Sequence, residues 1–196
     1  MSASQTADAG DGAQAARGME RIRTWPLASL RARLTTCCGS ARWVDGMLAQ
    51  WPFADVSTLL QAAESIWWSL DEADWLQAFA CHPKIGDVDS IRRKYAAQAT
   101  WSLQEQGGVH GASEAVLHGL AQGNAAYEAK FGFIFLVCAT GKTADQMLAL
   151  LAQRLPQDRP TELRVAAGEQ AKITALRLHK WLAEAAQEPE AGAPVR

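Results

Sequence analysis

Two side chains of the sequence have the types and positions that proton transfer requires. His82 lies in the segment ACHPKIGD, after a predicted helix and directly before Pro83. Because a residue before proline resists the helical conformation, that helix should end at or just before His82, where the negative end of its dipole favours a protonated imidazole. Glu105, in WSLQEQ, would be the third residue of another helix with Ser102 as its N-cap, and the positive helix end favours its carboxylate. The two side chains could form a general acid/base pair.

Structural interpretations of the same residues are also open. A histidine beside proline can be a turn residue with a satisfied hydrogen bond, and Ser102 with Glu105 completes a capping box that needs no catalytic role. A metal site built from His82, Glu105 and His110 is a further alternative. The residues alone therefore indicate a helical domain with a candidate acid/base pair.

Other chemical motifs fail or have ordinary explanations. The segment ATGKT lacks the first glycine of a phosphate-binding loop, because Leu136 stands at that position. The four cysteines, Cys37, Cys38, Cys81 and Cys138, contain no C-x-x-C pair, so neither a disulfide framework nor a zinc knuckle is predicted. Reduced thiols favour a cytoplasmic protein. Most of the eight tryptophans occur at helical spacing among leucine and alanine, which predicts core packing.

Composition narrows the class of protein. The 196 residues carry a net charge of −2, with 48% apolar and 20% charged residues, as in ordinary globular domains. This balance argues against a nucleic-acid-binding or membrane-surface protein, and the N-terminus resembles neither a secretory nor a transit peptide. Residues 1–20 and 187–196 are rich in small and polar residues and are predicted to be disordered tails. One domain is expected over residues 21–186.

Helical patterns cover the first half of this domain. LASLRARL places Leu27, Leu30 and Leu34 on one helix face, and the SLDE segment at residues 69–72 predicts a capping box that starts the helix leading to His82. Further helices are predicted in DVDSIRRKYAAQA and from Ser102 onward.

Helical patterns also cover the second half of the domain. A long helix is predicted from Glu114 to Lys130, ended by Gly132, and another from TADQ to Leu155. The last helix should begin near Pro160 and run to about Glu184. FIFLVCA (133–139) is the only β-like run and could be a buried extended segment or a helix start. Without partner strands, the expected fold is an all-α bundle of roughly eight to ten helices.

Five segments occur in the order CCGSARWVDGML (37–48), HPKIGD (82–87), WSLQEQ (101–106), LAQGNAAYEAKFGFIFLVCATGK (120–142) and RLPQDRPTELRVAAGEQAKITALRL (154–178). Together they resemble the OHCU decarboxylase family, where OHCU is 2-oxo-4-hydroxy-4-carboxy-5-ureidoimidazoline. The HPKIG pattern alone is weak, but its spacing to S-x-x-E-Q and then to N-x-x-Y-x-x-K-F-G-F makes the resemblance specific. Gly123 departs from it, because a better helix former is expected there.

This resemblance implies an all-α homodimer that decarboxylates OHCU to (S)-allantoin in urate degradation, with neither cofactor nor metal. By motif position it implies that His82 and Glu105 are the catalytic pair. Arg177 would correspond to an active-site arginine that binds an anionic group. The other implied substrate contacts are Pro83, Ser102, Gln106 and the main chain of Phe135, Leu136, Val137, Cys138 and Ala139.

Two other classes of function stay open from the sequence. One is a decarboxylase or hydrolase of a related ureide on the same scaffold, which a panel of substrates would separate. The other is a non-catalytic helical binding module, in which the histidine and the glutamate would be incidental and His82→Ala would leave partner binding intact.

Overall fold

The computed structural model describes residues 3–83 and 113–188. Within those ranges the chain forms eight α-helices and no β-strand, which confirms the predicted all-α fold. The helices predicted in DVDSIRRKYAAQA and from Ser102 lie outside the described residues. The observed helices are α1 (Ala3–Ile22), α2 (Leu27–Cys37), α3 (Ala41–Ala49), α4 (Val56–Ser69), α5 (Glu72–Ala80), α6 (Glu114–Phe131), α7 (Ala144–Arg154) and α8 (Arg159–Ala185).

The chain divides into two compact units. The first comprises Met1–Ala78 with Ala171–Arg196, and the second comprises Phe79–Gln170. Helices α5 and α8 each contribute residues to both units. The predicted domain boundaries at residues 21 and 186 stay predictions.

The core of the first unit is built on tryptophan and leucine. Trp43 is fully buried and its indole nitrogen donates a hydrogen bond to the carbonyl of Ala63 at 2.9 Å, so the one polar atom of the ring is satisfied in the core. Leu30 and Leu34 are buried as the helical pattern predicts, but Leu27 is 63% exposed because it is the first residue of α2. The tryptophans that are buried, as predicted for the core, are Trp43, Trp67, Trp75 and Trp181.

The N-terminal segment differs from its prediction, since residues from Ala3 onward form α1 rather than a disordered tail. Met19 and Ile22 are buried, and the amide nitrogen of the Gln14 side chain donates to the carbonyl of Ala183 at 3.2 Å. At Gly18 an added Cβ would lie 1.9 Å from the carbonyl oxygen of Leu182. The small residues that suggested disorder instead permit close packing against α8.

The predicted capping box at SLDE is also wrong in detail. Ser69 is the last residue of α4, and its hydroxyl donates to the carbonyl of Ile66 at 2.7 Å. The cap of α5 is Asp71, whose carboxylate accepts from the amides of Ala73 and Asp74 at 3.2 and 3.4 Å. The Asp74 amide is the main cause that lowers the pKa of Asp71 below its ordinary value.

In the second unit, helices begin and end where the local sequence predicts. Gly132 ends α6 in the left-handed conformation with φ of 79°, which glycine adopts without strain. Thr143 and Gln146 form a complete capping box at the start of α7. Between these helices the run FIFLVCA is neither helix nor strand, so the alternative of a helix start is wrong. Phe133, Leu136 and Cys138 are its buried residues.

Candidate active site

His82 lies in a turn just beyond α5. The helix ends at Ala80, and the amide of His82 donates to the carbonyl of Phe79 at 3.1 Å, which closes the last turn. Pro83 follows and is exposed, whereas His82 is half-buried. The helix therefore ends before the His-Pro pair, as the conformational restriction by proline predicts.

The imidazole of His82 contacts a buried amide. His82 Nε2 lies 2.6 Å from Oε1 of Gln170, a fully buried residue of α8. A carboxamide can accept from a ring N–H or, after rotation of the amide, donate to a ring nitrogen. Gln170 can therefore hold the ring in one orientation while the ring exchanges protons elsewhere.

The predicted partner of His82 lies outside the described residues, as do two predicted substrate contacts. These residues are Glu105, Ser102 and Gln106. The acid/base pair of His82 and Glu105 thus stays a prediction, and so does the alternative metal site with His110. In the part of the chain that the structure describes, no group of three or more His, Cys, Asp or Glu residues is arranged to hold a metal ion.

The main chain of residues 135–139 is partly engaged by side chains. The carbonyl of Leu136 accepts from Arg154 Nη1 at 2.8 Å, and the amide of Cys138 donates to Glu169 Oε2 at 2.7 Å. The carbonyl of Cys138 accepts from Lys142 Nζ at 2.8 Å. Val137, between these residues, makes no main-chain hydrogen bond within the described parts of the chain. Among the described residues Phe135 makes none either, so these two positions of the segment are best suited to bind polar groups of a ligand.

Arg177 belongs to the first unit, whereas His82 and residues 135–139 belong to the second. Its Nη1 donates to the carbonyls of Thr36 and Cys37, at 3.2 and 3.3 Å, and so satisfies carbonyls at the C-terminal end of α2. Burial raises the pKa of the Cys37 thiol to about 11, and the charge of Arg177 opposes this rise. The structure thus assigns Arg177 a helix-capping contact, and its proposed contact with substrate stays a prediction.

Sequence reasoning missed the polar residues of α8 and α7 that surround these elements. Arg154, Glu169 and Gln170 were inside recognised segments but had no assigned role. No apolar stripe marks the buried face of α8, because three of four successive buried positions, spaced every four residues, are polar. These four buried positions are Glu162, Ala166, Gln170 and Thr174.

The chain matches the sequence model of the OHCU decarboxylase family over residues 23–179. It is 37% identical over 155 residues to the uric acid degradation bifunctional protein TTL of Arabidopsis thaliana, a match that covers 77% of this chain and 47% of that protein. The chain thus spans about half the length of this relative. It is 30% identical over 130 residues to the 2-oxo-4-hydroxy-4-carboxy-5-ureidoimidazoline decarboxylase of Xenopus laevis, covering 66% of this chain and 74% of that one.

Solved structures are also similar to this chain. A crystal structure of an OHCU decarboxylase in the presence of (S)-allantoin aligns with a TM-score of 0.61 at 35% identity, covering 74% of this chain and 94% of that chain. A crystal structure of an (S)-allantoin synthase also aligns with a TM-score of 0.61, and the alignment covers 83% of this chain and 53% of that chain. At 20% identity, this match shows that the two proteins share a fold. Among the described helices, none combines the length and the apolar character that a membrane span requires. Because the family match covers most of the sequence, from residue 23 to residue 179, this chain belongs to the OHCU decarboxylase family.

Proposed function

We propose that this protein decarboxylates OHCU to (S)-allantoin and CO2, a step of urate degradation. The observation that carries the proposal is the family match over residues 23–179, which spans every proposed site residue. Relatives named as OHCU decarboxylases support it, as does the similar structure determined with (S)-allantoin. His82, directly before proline and held by Gln170, supports a site where a positioned imidazole handles a proton.

The proposed reaction breaks one bond and forms one. The bond between the ring carbon and the carboxylate breaks, CO2 leaves, and the electron pair stays on the ring system as a delocalised anion. One proton is then added to one face, and the face chosen sets the configuration of the product. The enzyme must therefore orient the carboxylate, stabilise the anion and deliver a proton from one side.

His82 is the proposed proton carrier. An imidazole titrates near neutral pH and can both give and take a proton in one reaction cycle. Glu105 is its proposed partner, whose negative charge stabilises the protonated ring, while Gln170 holds the ring in orientation. The contact of His82 Nε2 with Gln170 limits rotation of the ring, which supports delivery to one face.

The remaining contacts would bind the substrate without reacting. We propose Ser102 and Gln106 for hydrogen bonds to the ureido group and Pro83 for packing against the ligand. The main chain of Phe135–Ala139 would bind the ring amides, with Val137 at its centre. Arg177 would bind an anionic group; among its described contacts only Nη1 is used, which leaves Nε and Nη2 as donors.

The proposal includes three broader features of the protein. The anion formed by loss of CO2 can be stabilised by hydrogen bonds, so the reaction is proposed to need neither cofactor nor metal. The family resemblance supports a homodimer, which light scattering coupled to gel filtration would test. Four cysteines without a disulfide in the structure support the cytoplasm as the location.

Circular dichroism of freshly generated OHCU tests the function directly. The substrate is made from urate with the two preceding enzymes, and the wild-type protein should produce a rapid optically active signal of (S)-allantoin. His82→Asn should reduce kcat by about 100-fold or more, since a positioned acid/base group contributes roughly 10²–10⁴-fold.

His118→Asn is the matched control, because His118 is an exposed residue of α6 and should leave the rate unchanged. Both variants should retain the wild-type far-ultraviolet spectrum. A wild-type trace no faster than the spontaneous reaction would overturn the proposed substrate. Full activity in His82→Asn would overturn the role of the histidine and leave the substrate assignment intact.

A further inference from the structure

A buried ionic network lies between three helices of the second unit. It consists of Tyr127 of α6, Arg154 of α7 and Glu162 of α8, with exposed fractions of 0%, 6% and 0%. One carboxylate oxygen, Glu162 Oε1, accepts from Arg154 Nε at 2.7 Å, from Arg154 Nη2 and from the Tyr127 hydroxyl. Arg154 Nη2 also lies 3.3 Å from that hydroxyl.

Burying these ionic groups in a core costs desolvation free energy. Removing a carboxylate and a guanidinium from water costs several kcal/mol per ion, and apolar residues of similar volume often stabilise a core equally well. The second carboxylate oxygen, Glu162 Oε2, has no hydrogen-bond partner among the described residues, so the network is not even fully satisfied. Stability alone therefore does not explain why these three residues are here.

Among the described residues, the side chains of the network make one hydrogen bond outside it, and that bond goes to the segment proposed to bind substrate. Arg154 Nη1 donates to the carbonyl of Leu136 at 2.8 Å, and its guanidinium lies 4.8 Å from the centre of the Phe135 ring. Residues 134–139 have no helical or sheet hydrogen bonds, so side chains must determine the path of their main chain. A planar guanidinium, permanently charged and held by Glu162, is a rigid donor for that purpose.

A second contact restrains the same segment two residues later. The amide of Cys138 donates to Glu169 Oε2 at 2.7 Å. Leu136 and Cys138 are thus both held by charged side chains, and Val137 lies between them. Their restraint leaves little freedom in the direction of the Val137 amide and carbonyl.

We propose that Tyr127, Arg154 and Glu162 are positioning residues that fix the main chain at Val137 so that it can bind the ring amides of the substrate. This inference rests on the proposed function, because it assumes that the segment contacts OHCU. We assign these hydrogen bonds to ring amides outside the delocalised anion, so they should be about equally strong before and during the reaction. Their loss should raise KM and leave kcat nearly unchanged.

Tyr127→Phe is the first test, because it keeps the aromatic ring and removes only the hydroxyl that helps to hold Glu162. We expect KM for OHCU to rise about 10-fold, the size of one hydrogen bond, with kcat within about twofold of wild type. The dissociation constant of (S)-allantoin, measured by calorimetry, should rise by the same factor. Arg154→Lys should have a larger effect, because one ammonium cannot reach both Glu162 and the Leu136 carbonyl in the same geometry.

Leu59→Ala is the matched control, since Leu59 is a fully buried residue of the first unit and its truncation destabilises the core without touching the network. It should lower the melting temperature at least as much as Tyr127→Phe and change neither KM nor the (S)-allantoin affinity below that temperature. Hydrogen–deuterium exchange of the peptide covering residues 133–140 should accelerate in Tyr127→Phe and not in Leu59→Ala.

The outcomes separate the two proposals. An unchanged KM and an unchanged exchange rate in Tyr127→Phe, with an active wild-type enzyme, would overturn the positioning role and leave the proposed function standing. A wild-type protein that neither turns over OHCU nor binds (S)-allantoin would overturn the proposed function and, with it, the assignment to substrate. Faster exchange in that case would still show that the network orders the segment.

Discussion

Replacing Arg154 by methionine should be among the most destabilising single substitutions in the chain. The substitution removes the hydrogen bonds from Arg154 to Glu162 and to the carbonyl of Leu136, at 2.7 and 2.8 Å. It leaves Glu162, 0% exposed, as a buried charge whose only described donor is the Tyr127 hydroxyl. Breaking a buried ion pair in this way costs about 3–5 kcal/mol, a large part of the roughly 5–15 kcal/mol that stabilises a typical domain.

Adding Glu162→Leu to Arg154→Met should restore part of this loss, because it removes the uncompensated charge. The double variant still leaves the Leu136 carbonyl and the Tyr127 hydroxyl without these partners, at about 1–3 kcal/mol each. We therefore expect the double variant to be less destabilised than the sum of the two single variants by about 0.5–3 kcal/mol, the range of coupling for residues in direct contact.

Urea unfolding at 25 °C, followed by tryptophan fluorescence and by far-ultraviolet circular dichroism, measures these free energies. The control is Arg31→Met, which breaks the exposed pair between Arg31 and Asp45 and should cost less than about 1 kcal/mol. Strict additivity of Arg154→Met and Glu162→Leu would refute the reasoning, because the two side chains would then not interact in the folded protein.

Three further predictions follow from burial. Cys81 should react with a thiol reagent before the other cysteines, because it alone of the four is exposed; peptide mapping after brief labelling checks this. Burial raises the pKa of Cys37 and of Cys38 to about 11 from an ordinary 9.0, so the unfolded chain loses these protons first. Stability under reducing conditions should therefore fall as the pH rises from 9 to 11, and Cys38→Ala should weaken this dependence in urea titrations. Gly18→Ala should lower the melting temperature, because the added Cβ would overlap the Leu182 carbonyl.

Each of these predictions has a distinct contrary result. Equal labelling rates at Cys81 and Cys138 in native protein would contradict the burial of Cys138. A stability that stays constant to pH 11 would show that the thiols ionise equally in both states. A raised melting temperature in Gly18→Ala would mean that the greater helix propensity of alanine outweighs the contact, and that α1 does not pack closely at this position.

Helix boundaries could be predicted wherever one residue determines the local conformation. Gly132 can adopt a positive φ without strain, and Thr143 with Gln146 satisfies the first amides of α7, so both signals predict the observed helix ends. The start of α5 was harder, because Ser69 and Asp71 are both good caps only two residues apart. Ser69 instead bonds back to the last turn of α4, which local sequence cannot reveal because it depends on where α4 ends.

The sequence does not reveal which glycines are required for close packing between helices. Gly123 looked out of place inside a helix, and the structure explains it, since an added Cβ would lie 2.5 Å from Cδ2 of Leu151. Gly18 in α1 has a similar role against Leu182. In both cases the partner is more than 25 residues away along the chain, and only the folded arrangement shows why the smallest residue is required.

The contacts observed at the candidate site could be predicted only in part. His82 stood out because histidine before proline is a conspicuous pair, whereas Glu169 and Gln170 look like ordinary polar residues of a long helix. Their function depends on which face of α8 is covered, and a helix with buried polar positions has no clear apolar stripe from which to read that face. Resemblance to a family located the segment, and only the structure showed which of its side chains make contacts.

Helix α8 connects the two described elements of the candidate site. Its consecutive residues Glu169 and Gln170 contact the amide of Cys138 and the imidazole of His82, at 2.7 and 2.6 Å. Both contacts are made from one uninterrupted helix, so the spacing between them is determined by helix geometry rather than by a loop. The proposed reaction delivers a proton to one face of a bound ring, so its rate should depend on that spacing. Substitutions at Glu169 or Gln170 should therefore change turnover although neither residue is proposed to touch the substrate.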